Sequence, residues 1–146
     1  GHKLSAMGAC IGAVVGLVAI TPAAGFVSIP SALAIGLIAS IVSNLVVSKF
    51  PKGKIDDALD VFACHGVGGI MGMVLTAIFA QGENASLLYG GWSVFLHHMI
   101  ALVLVAAFTF FGAILLYKIT NSIIPLRVSE ESELIGLDLS QHDEKL

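Results

Sequence analysis

Charged residues are scarce in this sequence and unevenly placed. Only 12% of the 146 residues are Asp, Glu, Lys or Arg, whereas 57% are hydrophobic. Soluble domains contain about 25% charged and about 45–50% apolar residues. Three long stretches, 4–48, 61–82 and 84–117, contain no Asp, Glu, Lys or Arg at all. Because a membrane span needs about 20 apolar helical residues, this composition excludes an ordinary soluble domain and predicts a membrane protein.

Other features that would define a function are also missing. The only two cysteines, Cys10 and Cys64, fall in apolar stretches, where they are expected to pack as small apolar side chains. Seven basic residues stand against ten acidic ones, and they form no basic patch for nucleic acid. We therefore predict no nucleic-acid partner.

Four membrane-spanning helices are predicted from the apolar stretches. The first stretch is long enough for two passes, and Pro22, Gly25 and Pro30 break it in "TPAAGFVSIPSA". The predicted spans lie near residues 5–24, 31–49, 59–81 and 92–118. Transmembrane strands would alternate between apolar and polar residues, and these runs do not. The predicted fold class is therefore all-α and polytopic, with a transmembrane region over 1–118 and a tail over 119–146.

The basic residues predict the orientation of these spans. If four helices cross the membrane, every basic residue falls on one side: Lys3, Lys49, Lys52, Lys54, Lys118, Arg127 and Lys145. Basic residues concentrate on the cytoplasmic side of membrane proteins. We therefore expect a multi-pass protein of the cell (inner) membrane with both ends of this chain, including the tail, in the cytoplasm.

Glycines recur at helical spacing in the first and third spans. In the first span Gly8, Gly12 and Gly16 repeat every four residues, which predicts close approach of a neighbouring helix. In the third span, a rotation of about 100° per residue puts three glycines near His65. These are Gly68, Gly69 and Gly72. This strip without side chains either receives another helix or leaves an empty lane beside the histidine.

His65 is the one ionisable ring in the stretch 61–82, which contains no Asp, Glu, Lys or Arg and forms most of the predicted third span. Such groups inside a membrane mostly line a pathway or bind a ligand, although a hydrogen bond to a neighbouring helix is a structural alternative. One alternative function is a small four-helix haem protein that uses His65 with His97 or His98. The predicted depths argue against it, because His65 lies near the inner end of its span and the pair near the outer end of the next. A purely structural membrane subunit is a third possibility.

Acidic residues precede the third span and also mark the tail. Asp56, Asp57 and Asp60 lie at the predicted cytoplasmic border, where they either cap the helix or form a vestibule that attracts a cation. In the tail, "SEESELIGLD" places three glutamates before Leu134, Ile135 and Leu137, with Ser129 as a possible cap. A solvated helix end explains this pattern as well as a docking segment does.

Three stretches, in this order, resemble a known family. They are "VGLVAITPAAGFV" (15–27), "DDALDVFACHGVGGIMG" (56–72) and "LRVSEESELIGLDLSQH" (126–142). Together they are similar to the C-terminal part of the ammonium transporter (Amt/Mep/Rh) family. The resemblance implies a homotrimer of eleven-helix protomers, in which two inverted five-helix repeats enclose a hydrophobic pore. This chain, which starts with Gly-His-Lys and looks like a piece of something longer, would hold the last four helices.

The resemblance also implies roles for particular residues. His65 matches the second of two pore histidines, Val61 a pore-lining aliphatic residue, and Thr21 the threonine of the "AITPA" motif. Asp57 and Asp60 match acids at the inner end of the same helix. The first pore histidine and the outer gate belong to helices outside this chain.

For the tail, the resemblance implies a regulatory segment that packs under the trimer and meets a PII-type signalling protein in many prokaryotes. Its residues here are Arg127, Glu130, Glu131, Gly136 and Asp138. The end of the tail reads "QHDEKL" where the family tends to have "HGE". The implied substrate is ammonium or ammonia, which crosses the lipid bilayer past a histidine that handles its proton. The resemblance thus implies a transporter and not an enzyme, with no metal or cofactor.

Overall fold

The computed structural model describes residues 6–49, 57, 59–82 and 86–144, and every regular element in these ranges is helical. The elements are α1 (Ala6–Ile20), α2 (Ile29–Lys49), a π-helical segment (Phe62–Val67) that leads into α3 (Gly68–Phe79), α4 (Trp92–Ile123), α5 (Glu130–Ile135) and α6 (Leu137–His142). The all-α prediction is confirmed for the described residues.

Four of these helical stretches are long and apolar enough to cross a membrane. They are Ala6–Ala23, Ile29–Lys49, Phe62–Phe79 and Trp92–Ile123. Each overlaps one of the four spans predicted from the sequence, with ends that differ by up to five residues. The prediction of four helices able to cross a membrane is therefore confirmed for the described residues.

The helix α4 is longer than its predicted span and continues past residue 118 to Ile123. The chain has no glycine or proline between Lys118 and Pro125, so nothing local ends the helix earlier. At a rise of about 1.5 Å per residue, its 32 residues extend about 48 Å, against a hydrocarbon core of about 30 Å. Even a tilt of about 40°, the upper end of the usual range, leaves about 37 Å along the membrane normal. Part of α4 therefore lies outside the hydrocarbon core.

The chain forms two compact units, Gly1–Leu104 and Val105–Leu146. In the first unit, α1, α2 and the π-helical segment with α3 pack on one another around a buried core. The core residues recur every fourth position, which places them on one face of each helix. On α1 and the turn after it they are Val15, Ala19 and Ala23, and on α2 they are Ile35, Ala39 and Ser43. Since most of these side chains are small, the helix backbones come close together.

Several glycines lie at these helix contacts. A Cβ atom on Gly72 would stand 3.0 Å from Ala19 Cα and would collide with the Ala19 carbonyl oxygen, so α3 rests directly on the backbone of α1. A Cβ on Gly68 would meet Val18 Cγ1 at 3.4 Å. Gly16 belongs to the predicted glycine groove on α1 and faces Gly36 of α2. A Cβ atom added to Gly36 would lie 3.9 Å from Gly16 Cα.

The remaining glycines of the predicted sets are packed less tightly. The Gly12 carbonyl accepts a hydrogen bond from Ser40 Oγ of α2 at 3.1 Å, and Gly8 is half-buried. An added Cβ on Gly12, Gly16 or Gly69 would meet nothing within 4 Å.

The break between α1 and α2 lies where Pro22, Gly25 and Pro30 predict it. Thr21–Ala23 form a 3₁₀ turn with Pro22 in its first positions, and Gly25 takes a φ of +85°, which favours glycine. Pro30 occupies the first turn of α2, where its missing N–H is not needed. This turn is tied to the end of α3 because Gln81 N–H donates to the Phe26 carbonyl at 2.8 Å.

In the second unit, short-range hydrogen bonds shape the segment after α4. Asn121 Oδ1 accepts from Leu126 N at 3.1 Å, and Ser129 Oγ accepts from Ser132 N at 3.2 Å. Ser129 is therefore the N-cap of α5, as predicted. Gly136, with φ of +100°, separates α5 from α6.

Candidate functional site

His65 lies inside the π-helical segment Phe62–Val67. In a π helix the backbone bonds run from residue i to i+5, so it contains more residues per turn than an α-helix. The rotation of about 100° per residue assumed from the sequence is therefore wrong across this segment, and the predicted angles between His65 and the following glycines do not apply. Short π segments inside α-helices are rare and occur frequently at functional sites.

The glycine strip after His65 is divided between a packed part and an open part. Gly68 and Gly72 are buried against α1, at Val18 and Ala19 respectively. Gly69 has open space where a side chain would stand, and the His65 side chain is exposed on the surface of this chain. In this chain, α1 therefore covers the strip at Gly68 and Gly72, whereas Gly69 and the His65 ring remain uncovered.

Asp57 caps the helix that carries His65. Its Oδ1 accepts from Val61 N at 2.8 Å and its Oδ2 from Phe62 N at 2.9 Å. These backbone N–H groups have no acceptor in the helix itself, so the carboxylate stabilises the helix start. Asp60, directly before Val61, has a φ of +52°, a left-handed conformation that aspartate tolerates better than most residues. Its carbonyl accepts a hydrogen bond from Cys64 N at 2.9 Å. Asp56 lies outside the described residues.

A buried hydroxyl supports the same segment from the side. Ser43 of α2 is 0% exposed, and its Oγ donates to the Ala63 carbonyl at 2.8 Å. Ser43 was not among the residues predicted from the sequence. Its signal was a serine four residues after Ala39 on the buried face of an apolar helix, because a hydroxyl in such a place needs a hydrogen-bond partner.

The structure does not bring every predicted site residue together. Gly68 packs at Val15 and Val18 while Gly72 packs at Ala19, so α1 and α3 run parallel. Along the shared direction of these two helices, Thr21 therefore lies past Gly72, whereas His65 lies ahead of Gly68. The two side chains are thus separated along the helix axis. The Thr21 hydroxyl donates to the Leu17 carbonyl of its own helix at 2.8 Å. Val61, one turn before His65, is half exposed.

A cavity of about 250 Å³ lies at the far end of α3, within the first unit. It is lined by Pro22, Phe26, Thr76, Ala80, Val94 and His98. His98 Nδ1 lies 3.0 Å from the Val94 carbonyl oxygen, which accepts only, so Nδ1 carries the proton. The Thr76 hydroxyl is committed to the Gly72 carbonyl at 2.7 Å. The cavity is thus largely apolar.

The position of His98 gives the haem alternative no support. His98 shares its cavity with Ala80, which follows His65 by fifteen residues. At about 1.5 Å per residue this separates the two levels by about 22 Å along the helix, too far for one haem iron to bind both rings. Within the described ranges, no group of three or more His, Cys, Asp or Glu side chains is arranged to hold a metal ion.

The predicted regulatory residues lie in and around α5 and α6. Arg127 Nε and Nη2 donate to the two carboxylate oxygens of Glu133 at 2.8 and 3.1 Å. This hydrogen-bonded guanidinium holds the pKa of the Glu133 carboxyl below its ordinary value. Glu130 and Glu131 occupy the first turn of α5 and Asp138 that of α6, where acidic groups favour the positive end of the helix dipole.

Comparison with known proteins places these features in a family. The statistical model of the Ammonium Transporter Family matches residues 1–146. The chain is 43% identical over 145 residues to ammonium transporter Amt1 of Archaeoglobus fulgidus, covering 97% of this chain and 37% of the relative. It is 41% identical over 149 residues to an ammonium transporter of Bacillus subtilis, covering 98% and 37%. These relatives bear the names of transporters and not of enzymes, which agrees with the prediction from the sequence.

A solved structure extends the match to three dimensions. The chain resembles the crystal structure of Saccharomyces cerevisiae Mep2 with a TM-score of 0.80 and 34% identity, covering 90% of this chain and 32% of that one. The chain thus spans about a third of the length of these relatives. The full-length family match, the shared helical arrangement and the four apolar helices lead to one conclusion: this chain belongs to the ammonium transporter family.

Proposed function

We propose that this chain is the C-terminal part of an ammonium transporter and that His65 lines the path of the permeant molecule. The observation that carries the proposal is an exposed imidazole within an apolar helix long enough to span a membrane, on a π-helical turn four residues before the open position at Gly69. Relatives named as ammonium transporters support the substrate.

The charge of ammonium explains why a histidine suits this position. An ion at the bilayer centre costs roughly 3 to more than 10 kcal/mol, whereas neutral ammonia avoids that penalty. A path lined by apolar groups such as Val61 therefore suits ammonia, provided that one side chain forms hydrogen bonds and handles the proton. A neutral imidazole has one donor and one acceptor and titrates near neutral pH. Potassium has no proton to lose and is excluded.

An exposed ring on an apolar helix surface also fits a chain that is part of a larger bundle. A polar side chain in contact with lipid is unfavourable, so a ring in this position needs polar partners or a water-accessible path. In our proposal the preceding helices of an eleven-helix protomer cover this face and supply the first pore histidine. The protomers assemble as a trimer in the cell (inner) membrane, with both ends of this chain in the cytoplasm.

The acids and the tail have secondary roles in this proposal. Asp57 caps the histidine helix, and together with Asp60 it forms the inner mouth, where negative charge attracts the released cation. Thr21 lines a more distant part of the path. The tail, held in shape by the Arg127–Glu133 pair, is a regulatory segment under the trimer and a docking site for a PII-type protein.

Replacement of His65 in the full-length transporter tests the proposal. His65→Leu keeps an apolar helix but removes the donor and the acceptor, so ammonium transport is expected to fall at least tenfold while the trimer still assembles. His65→Glu supplies a carboxylate that holds a cation without taking its proton, so potassium current is expected beside any ammonium current. Electrophysiology of reconstituted protein measures both.

The matched control is His97→Leu, since His97 is another exposed histidine of the first unit. This variant is expected to transport ammonium normally and to reject potassium. Normal transport by His65→Leu would refute a role for this ring in conduction. Potassium rejection by a conducting His65→Glu variant would show that proton removal does not set the selectivity.

A further inference from the structure

The π-helical turn around His65 needs support from outside its own backbone. A change from i+4 to i+5 bonding interrupts the regular hydrogen-bond ladder, and such turns persist where their surroundings stabilise them. In the first unit both α1 and α2 pack on this turn, and three features hold its ends and its middle. Asp57 caps the helix start, Gly72 fixes the following helix on α1, and Ser43 bonds within the turn itself.

The Ser43 bond differs from those of the other buried hydroxyls. The buried polar side chains among the described residues are Ser43, Thr76 and Ser86. The Thr76 hydroxyl donates to the carbonyl four residues earlier in its own helix, and that of Ser86 to the carbonyl eight residues earlier. Ser43 reaches from α2 to another helix, twenty residues along the chain, and its acceptor Ala63 lies two residues before His65.

We propose that Ser43 is a positioning residue for His65. Its hydroxyl holds the Ala63 carbonyl and thereby keeps the turn in its π form, which fixes the direction of the histidine ring. Without this bond the turn is free to relax toward α-helical bonding. One residue of register corresponds to about 100° of rotation, so the ring would leave the path while the helix remained intact. This inference rests on the proposed function of His65.

The chain provides a close control in Ser40, one turn earlier on α2. Its hydroxyl also crosses to a backbone carbonyl of another helix, Gly12 of α1, at 3.1 Å. Both serines therefore join two helices through a hydroxyl that donates to a backbone carbonyl, although the Ser43 bond is buried and the Ser40 bond half-buried. The Ser43 hydroxyl also forms a hydrogen bond with the Cys64 side chain, which belongs to the same π-helical turn. Only Ser43 contacts the turn that carries the histidine. A difference between the two variants thus reports on the turn and not on helix packing in general.

The experiment compares Ser43→Ala, Ser43→Thr and Ser40→Ala in the full-length transporter in liposomes. For each variant we measure the maximal ammonium transport rate per trimer, its pH dependence, the amount of assembled trimer and its melting temperature. In Ser43→Ala the rate is expected to fall roughly five- to tenfold at unchanged trimer content, as expected for one misplaced hydrogen-bonding group. The pH profile shifts as well, since the ring changes its surroundings. Ser43→Thr keeps a hydroxyl and restores both, and Ser40→Ala stays within about twofold of the parent.

Each other outcome overturns the inference. A Ser43→Ala rate within twofold of the parent, an equal loss in Ser40→Ala, or a loss that merely follows the amount of trimer would make Ser43 a packing residue. An assembled Ser43→Thr variant that fails to recover would do the same. If the extra methyl group prevents assembly of that variant, the comparison of the two alanine variants decides.

The His65→Leu variant, measured in parallel, distinguishes failure of the proposed role of His65 in transport from failure of the positioning role of Ser43. If it transports normally, the proposed function of His65 is wrong. If it is inactive while Ser43→Ala behaves as Ser40→Ala does, the proposed function stands and only the positioning role of Ser43 is refuted.

Discussion

Replacing Gly72 by alanine is expected to force α1 and α3 apart. The new Cβ would lie 3.0 Å from Ala19 Cα and closer still to the Ala19 carbonyl oxygen, both of which are backbone atoms that no side-chain rotation can move. Carbon atoms pack at about 3.5–4.0 Å, so the helices must separate by roughly 0.5–1 Å at this point. Overpacking of this kind costs about 1–3 kcal/mol.

Comparison with Gly69→Ala isolates the cost of this overpacking. Gly69→Ala makes the same change in the same helix, but its Cβ meets nothing within 4 Å. The gain in helix propensity, about 1 kcal/mol, is common to both variants and cancels when they are compared. The free energy of unfolding of Gly72→Ala should therefore be lower than that of Gly69→Ala by about 1–3 kcal/mol.

Denaturant unfolding of the full-length transporter in detergent micelles, followed by circular dichroism, measures this difference. Equal stability of the two variants would refute the close contact between the α1 and α3 backbones. A loss in Gly69→Ala as large as that in Gly72→Ala would refute the open space beside Gly69.

Two further predictions concern charged groups. Asp57→Ala removes both cap bonds and should lower stability by about 0.5–2 kcal/mol, measured by thermal unfolding, and unchanged stability would refute the cap. A stable Asp57→Asn variant with slow transport would support the additional role in a charged inner mouth. The pair with Arg127 lowers the pKa of Glu133 in the folded protein. It therefore stabilises the tail fully at pH values above the ordinary glutamate pKa of about 4.3. This stabilisation is lost as the pH falls through the lower pKa of the folded state. An NMR titration of the Glu133 carboxyl should show its midpoint rising in Arg127→Gln, and an unchanged midpoint would contradict the pairing.

Most of the fold could be predicted because lipid imposes simple rules. Long apolar stretches must be helical in a membrane, so length and the Pro22–Pro30 break were sufficient for the number of spans. The end of α4 was harder to predict, since Lys118 marks a charge and not a helix terminus. The helix ends only where the chain approaches Pro125.

The site was predicted in part. His65 stood out as an ionisable group in an apolar run, and Asp57 as an acid before a helix. The π turn could not be predicted, because the choice between i+4 and i+5 bonding depends on contacts with other helices, such as the Ser43 hydroxyl. Angles between side chains that are calculated for a regular α-helix are therefore wrong across Phe62–Val67. The partner of a buried serine is likewise set by tertiary packing and not by its neighbours in sequence.

The six-residue π segment has a consequence for chain length. A single π turn holds one residue more than the α-helical turn it replaces. Deletion of one residue between Phe62 and Val67 would therefore let a continuous α-helix join the Asp57 cap to the Gly72 contact without moving either. The surplus residue changes the direction of every side chain in the segment, including the histidine. A transporter with that single codon removed would still thread the membrane in the same register, but its imidazole would point elsewhere.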